Sequence, residues 1–276
     1  MNKFKSYIKR IIKLINLEEM KTLPGHLAFN IVLMIVPIFS IIGVIGSNFE
    51  VAKIINVLDN NVPDAVLSII DSALNITSTS YNLFLFIIFS LWLVSGGCRA
   101  IIQVSDVLYK ATASNLKNYI KSFFMVIILF GLITFMLIVP VFGDIIFKLL
   151  NNHFNEKGME LITNIYHFLK YPLSIILMFI SIKLLYTIAP SIRIESKYAN
   201  NGAWFTTISW FITSRIYSYH LNNYSNYNVY YGSLSSILIL LVWVYLLAYL
   251  FTIGIALNAD NYLIEKKKLQ EGLELK

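Results

Sequence analysis

In a chain this apolar, the residues able to do chemistry are those whose charge or polarity interrupts a hydrophobic run. Lys183 and Arg215 are the clearest, each a cation among apolar residues at helical spacing. Ionisable groups at membrane depth mark functional sites by default. Each cation either holds an anionic group, with Asp106 and Asp144 as possible carboxylate partners, or carries its charge to an interface along its aliphatic stem. Asn30 and Gln103 are amides that lipid would leave unsatisfied, so they call for an interhelical hydrogen bond or a place on a substrate pathway. Trp243, Tyr245 and Tyr249 lie deeper than an aromatic belt requires, and their polar hydrogens point to the protein interior or a water-bearing cavity. Gly96 and Gly97 permit either close helix approach or a local break, and Pro37 should kink its helix.

Other chemistries find no support. His26, His153, His167 and His220 are scattered without ligand spacing, and the lone Cys98 allows neither a disulfide framework nor a thiolate cluster. No glycine loop with a lysine cradles a phosphate, and no span carries paired carboxylates. A ribonuclease would cluster carboxylates or histidines around metal or phosphate. The expectation is a protein without metal or cofactor, and not an enzyme.

The elements that position these residues follow from composition. Of 276 residues, 57% are hydrophobic and 13% charged, against roughly 45–50% and about 25% in soluble domains. That excess excludes a soluble fold and predicts an all-α, polytopic membrane protein. Its bundle of six transmembrane helices covers about 27–47, 83–102, 120–143, 168–190, 202–220 and 234–258. A basic amphipathic segment, 1–26, precedes the membrane domain, 27–258, and a basic tail, 259–276, follows it. Sixteen of the 22 lysines and arginines fall before span one, around the 2–3 and 4–5 connections, or in the tail. The positive-inside rule then places both termini in the cytoplasm. The net charge of +7 is thereby a topology signal, and no nucleic-acid partner is needed to explain it.

The first segment is too long and too charged for a secretory signal. Phe4, Tyr7, Ile8, Ile11, Ile12 and Ile15 recur at helical spacing opposite lysines. This reads as a helix in the membrane interface, drawn to anionic lipid, or simply as a topology anchor. The connection Asn48–Asn82 has its own apolar period, predicting two short amphipathic helices that rest on the outer membrane surface or cap the bundle, and Asp144–Leu169 resembles it more weakly. Tyr217, Tyr219, Tyr224, Tyr227, Tyr230 and Tyr231 surround the 5–6 connection as interfacial anchors, with Gly232 supplying a turn and Ser233 placed to cap span six.

Several ordered motifs carry a resemblance. Ala28-Phe29 leads to Pro37, and Ser95-Gly96-Gly97 is followed by Gln103 and Asp106–Tyr109. Tyr186 and Pro190 close span four, and Gly202-Ala203 opens span five. The most specific block is Tyr230-Tyr231-Gly232-Ser233-Leu234, then Trp243-Val244-Tyr245, Gly254 and Leu257-Asn258. Over nearly its whole length the chain resembles the YihY/virulence factor BrkB family of bacterial inner-membrane proteins. The resemblance implies a multi-pass helical fold in the bacterial cytoplasmic membrane. Roles proposed for the family are transport, envelope integrity and serum resistance, beside a ribonuclease label that the residues here do not support. Ala256 stands where the family commonly has a glutamate, Asn30 for an aromatic, Met34 for a serine and Asp106 for an asparagine. The expected function is a transporter or lipid translocator for an amphipathic or anionic substrate, with membrane lipids as partners. The alternative is a non-transporting scaffold that recruits an envelope protein partner.

Overall fold

A backbone without water must satisfy its N–H and C=O groups internally, which restricts it to helices or closed barrels. The computed structural model describes residues 2–45, 64, 67–68, 83–112, 114–151, 156–224 and 231–274. Among them there is no strand. The α-helices are α1 (Asn2–Ile15), α2 (Leu23–Ile45), α3 (Leu83–Tyr109), α4 (Asn115–Asn151), α5 (Glu156–Ile188), α6 (Asn200–Tyr224) and α7 (Ser235–Glu274), with 3₁₀ turns at Glu18–Lys21, Ser196–Ala199 and Gly232–Leu234. Pro24 sits in the first turn of α2, where a missing N–H costs nothing, and Pro37 lies within the same helix.

From α2 to α6 each helix packs on the next, and α7 closes the ring against α2. α7 also touches α3 and carries α1. From Phe251 to Ala259 every residue of α7 is buried, so this section is enclosed on all sides. The outer surface is the reverse of a soluble protein's: Phe89, Trp92, Phe124, Ile127, Ile208 and Ile216 are all exposed.

Four of the expected spans coincide with helices long and apolar enough to cross a membrane: Leu23–Ile41, Leu85–Tyr109, Asn115–Ile133 and Ser235–Glu271. The fourth expected span falls within the 33-residue α5, whose described side chains form the apolar stretch Pro172–Ile188. The fifth forms the 25-residue α6, but its hydroxyl residues dilute the apolar run. Those hydroxyls are satisfied locally: Thr207 Oγ1 donates to Ala203 O at 2.8 Å and Ser209 Oγ to Phe205 O at 2.6 Å.

Several helices run on beyond the expected spans. α3 continues to Tyr109 rather than ending at Ile102, because Gln103 and Asp106 find partners that let the helix run on. The segment 259–276 is no loose tail, since α7 continues through it to Glu274. Ala, Leu, Glu, Lys and Gln sustain helix as well in water as the apolar run does in lipid. The third connection is likewise largely helix, with α4 reaching Asn151 and α5 starting at Glu156. Of the Asn48–Asn82 connection, Asp64, Leu67 and Ser68 are described and helical; the rest of that expectation lies outside the described residues.

The end of α3 has no glycine to announce it. Lys110 takes φ 52°, its N–H donates to Val107 O at 3.2 Å, and the N–H of Ala111 reaches Asp106 O at 2.8 Å. This is the Schellman pattern with lysine in the left-handed position that glycine normally fills. Lys110→Gly should stabilise the protein by about 1 kcal/mol. The check is a rise in the thermal unfolding midpoint in detergent; an unchanged or lower midpoint contradicts it.

Candidate functional site

Among the described residues, two clusters of polar side chains tie the helices together inside the bundle. In the first, Tyr186 of α5 is fully enclosed. Its hydroxyl donates to Phe251 O at 2.8 Å and lies 2.6 Å from Thr206 Oγ1, which must then be the donor to Tyr186. A Cβ on Gly254 would overlap both the Tyr186 and Thr206 oxygens, and one on Gly202 would overlap Gly254 O and the Asn258 amide. The space left by these two glycines lets Asn258 Oδ1 accept the backbone N–H of Gly202 at 2.7 Å. Gly202 lies in the first turn of α6, where backbone N–H groups lack intrahelical partners. A neighbouring helix thus caps α6 with a side chain. Asn258 Nδ2 and the Tyr109 hydroxyl are buried without a hydrogen-bond partner among the described residues.

The second cluster surrounds the turn after α5. Asp106 Oδ1 accepts the Ser191 N–H at 2.7 Å, and Oδ2 accepts the Ser191 hydroxyl at 2.6 Å and Asn118 Nδ2 at 3.2 Å. From the same side of the bundle, Lys121 Nζ donates to Ala189 O at 2.9 Å and Pro190 O at 2.6 Å. A carboxylate and an ammonium therefore hold the donors and acceptors of one turn. Asp106, expected as a partner for Lys183 or Arg215, is instead committed to Ser191 and Asn118. The Asp144 side chain lies outside the described residues.

Beyond the turn, Arg10 of α1 binds Asp260 of α7 at 2.5 Å and approaches Leu257 O at 3.5 Å. Burial against this surface raises the Tyr7 phenol pKa, with Arg10 opposing. Lys197 bridges Glu195 at 3.1 Å and Glu265 at 3.6 Å. Its hydrogen bond to Glu195 is the main cause that raises its pKa above the usual lysine range.

The residues singled out by sequence do not converge. Lys183 is half-buried on α5, and no carboxylate or hydrogen-bond partner for its ammonium is present among the described residues. Arg215 is exposed on α6, its guanidinium 5.5 Å from the Phe211 ring on its own helix. Lys183 lies five residues before the end of α5 and Arg215 fifteen after the start of α6. At about 1.5 Å per residue their depths differ by roughly 15 Å. Among the described residues Asn30 makes no interhelical bond; its Nδ2 donates to His26 O one turn back at 2.9 Å. Gln103 does cross between helices, with His26 Nε2 donating to Gln103 Oε1 at 3.2 Å.

Trp243 is half-buried and donates to Ser214 Oγ at 3.4 Å, as expected of an interior indole. Tyr245 is 45% exposed and faces outward, which corrects the interior reading. Gly97 lies where a Cβ would overlap Met34 Sδ, whereas Gly96 has open space, and α3 runs through both unbroken. Tyr231 is exposed, and Gly232 makes the expected turn at φ +53°. Tyr227 and Tyr230 lie outside the described residues, as does the Ser233 side chain. Sequence reasoning missed Thr206, Ser191, Asn118 and the capping role of Lys121, since common polar residues acquire these roles only through tertiary placement.

The glycine contacts make a direct prediction. Gly202→Ala should destabilise the bundle by roughly 1–3 kcal/mol or prevent its assembly, because the obstruction is backbone and cannot move aside. Gly25→Ala, which meets nothing within 4 Å, should be neutral or stabilising. Thermal midpoints and monodisperse yield in detergent separate the two; equal behaviour would refute the close-approach account.

Comparison with known proteins agrees with this architecture. The family model described as Virulence factor BrkB matches residues 11–272. A ribonuclease-like protein, YfkH, from Bacillus subtilis (strain 168) is 27% identical over 273 residues, covering 96% of this chain and 98% of the relative. The UPF0761 membrane protein IL2447 of Idiomarina loihiensis is 27% identical over 112 residues, 41% of this chain and 38% of its own. PSHAa0171, a UPF0761 membrane protein of Pseudoalteromonas translucida, is 33% identical over 76 residues, 28% of this chain and 25% of its own. No solved structure matches. With apolar helices, an outward-facing apolar surface and a family match over nearly its whole length, the chain belongs to the Virulence factor BrkB family of membrane proteins.

Proposed function

We propose that the chain crosses the bacterial cytoplasmic membrane six times with both termini cytoplasmic, and that it binds and moves an anionic amphipath, a membrane lipid in the first instance. α5 and α6 complete the ring formed with the four more apolar helices, which supports counting them as spans. The Ser191 turn, the α3–α4 junction, α1 and the distal part of α7 gather at one end, which supports a common side for the basic residues. A helical interface segment at α1 fits contact with anionic lipid. The ribonuclease-like name of the Bacillus relative is not carried over, because no three histidines, cysteines or carboxylates come together among the described residues.

The observation that carries the reading is Lys183. A half-buried ammonium with no counterion among the described residues is costly, and an anionic ligand group would supply a partner. Arg215, spread over Phe211 on an exposed face, serves better as an interfacial anchor. The scaffold alternative drew on Asn48–Asn82, most of which lies outside the described residues.

In proteoliposomes containing a fluorescent phosphatidylglycerol, Lys183→Gln should slow lipid movement by about tenfold or more, equivalent to losing one charge-assisted contact. Lys183→Arg should largely retain movement, and Arg215→Gln should stay near wild type. Wild-type rates in Lys183→Gln would overturn the charge-based mechanism. No movement by the wild-type protein, together with a stably retained protein partner, would favour the scaffold.

A further inference from the structure

The distal section of α7 and the turn between α5 and α6 enclose an open groove of about 400 Å³. From α7 it is lined by Asn261, Ile264, Glu265 and Lys268, and from the facing turn and the start of α6 by Lys197, Tyr198 and Asn201. The α7 residues fall at i, i+3, i+4 and i+7, so a single face of the helix forms one wall. The groove lies beyond the apolar part of α7 and past the end of α5, separate from Lys183.

Its charges are unequally committed. Lys197 stands between Glu195 at 3.1 Å and Glu265 at 3.6 Å, so the one carboxylate in the lining has a cation beside it. Lys268 has no carboxylate or hydrogen-bond partner among the described residues. The adjacent Lys267 is different: it lies outside the lining and pairs with Glu271 at 3.6 Å. Asn201 and Asn261 bring amide donors that are also uncommitted among the described residues. The groove therefore presents one free ammonium and two amides, with its carboxylate already paired. Such a set suits a group with several acceptor oxygens, because the ammonium supplies charge while the amides bind separate oxygens. A volume of about 400 Å³ exceeds what a bare oxyanion needs and leaves room for its substituents. Half-exposed Ile264 offers an apolar wall for them.

We propose that this groove binds a phosphate ester, with Lys268, Asn201 and Asn261 as its ligands. Lipid head groups and soluble phosphate esters share that chemistry. The proposal goes beyond lipid movement through Lys183 and does not depend on it.

The test is calorimetric titration of the purified full chain in phosphate-free buffer with dihexanoyl phosphatidylglycerol, glycerol phosphate and inorganic phosphate. Saturable binding of at least one probe is expected. Lys268→Gln should weaken it by about tenfold, the usual weight of one charge-assisted hydrogen bond. Asn261→Leu should also weaken it, Lys268→Arg should restore most of it, and Lys267→Gln should leave it within about twofold. Binding of the lipid without competition from glycerol phosphate assigns the site to head groups; mutual competition assigns it to phosphate esters generally. Equal losses in Lys267→Gln and Lys268→Gln would reduce the effect to diffuse attraction by a basic helix and overturn the proposal. Failure of all three probes to bind would overturn it as well. Because Lys183 is intact in every variant, neither result bears on lipid movement through that residue.

Discussion

Two helices surrounded by lipid gain nothing from hiding apolar surface from each other, since the lipid is equally apolar. What holds α6 to α7 must come from close contact and from polar groups with no better partner. Gly202 and Gly254 supply the first, bringing the two backbones together where any side chain would separate them. Asn258 supplies the second by accepting the otherwise orphaned N–H of Gly202. Tyr186 then fills the space beside Gly254 and binds both partners, through Thr206 on α6 and Phe251 O on α7. If this approach opened, α5, α6 and α7 would each lose a satisfied buried group, and the enclosure of α7 would fail with them.

The same demand for partners organises the end of the bundle where the turns gather. The Ala189–Ser191 turn leaves a helix end whose carbonyls and N–H would be expensive to bury alone. Lys121 takes the carbonyls, and Asp106 takes the N–H and hydroxyl of Ser191. One half of the ring, α3 and α4, is thereby fastened to the beginning of the other. Arg10 does the same for α1, using Asp260 and the carbonyl of Leu257. These ion and hydrogen-bond contacts are directional, so they fix register where apolar side chains alone would allow sliding.

Composition and periodicity reveal the helices but not where they stop. Hydropathy falls after Asn258 and after Ile102, yet α7 and α3 continue, because leaving lipid does not break a helix whose residues favour it in water. The end of α3 is hidden for a related reason: Lys110 accepts a backbone conformation usually signalled by glycine. Gly202, Gly254, Asn258 and Tyr186 were visible as motif residues, whereas close approach was expected of Gly96 and Gly97. Their convergence was not visible, because they lie on three helices whose contact depends on the ring. Asp106 stood out as a charge in an apolar context, but the sequence gives no reason to choose Ser191 over Lys183 as its partner. Trp243 could be placed inward from its depth, whereas Tyr245, two residues on, turns to the opposite face.

The cations divide by what they touch. Arg10 and Lys121 hold helix termini and turns, Lys197 joins two glutamates, and Arg99 lies 4.2 Å over the Tyr119 ring. Lys5, Lys9 and Lys13 are exposed along α1, where water or lipid head groups solvate them. Lys183 belongs to neither class, being half-buried without a partner for its ammonium among the described residues. Lys268 is exposed, but the neighbouring Lys197–Glu265 pair leaves it the unmatched charge of a shaped groove. Removing a cation of the first class exposes a buried carboxylate or carbonyl and weakens the bundle. Removing Lys183 or Lys268 leaves no carboxylate or hydrogen-bond acceptor unpaired among the described residues. Charge that holds this bundle together is thus physically separable from charge available to a ligand, and loss of binding at either lysine can be read apart from loss of fold.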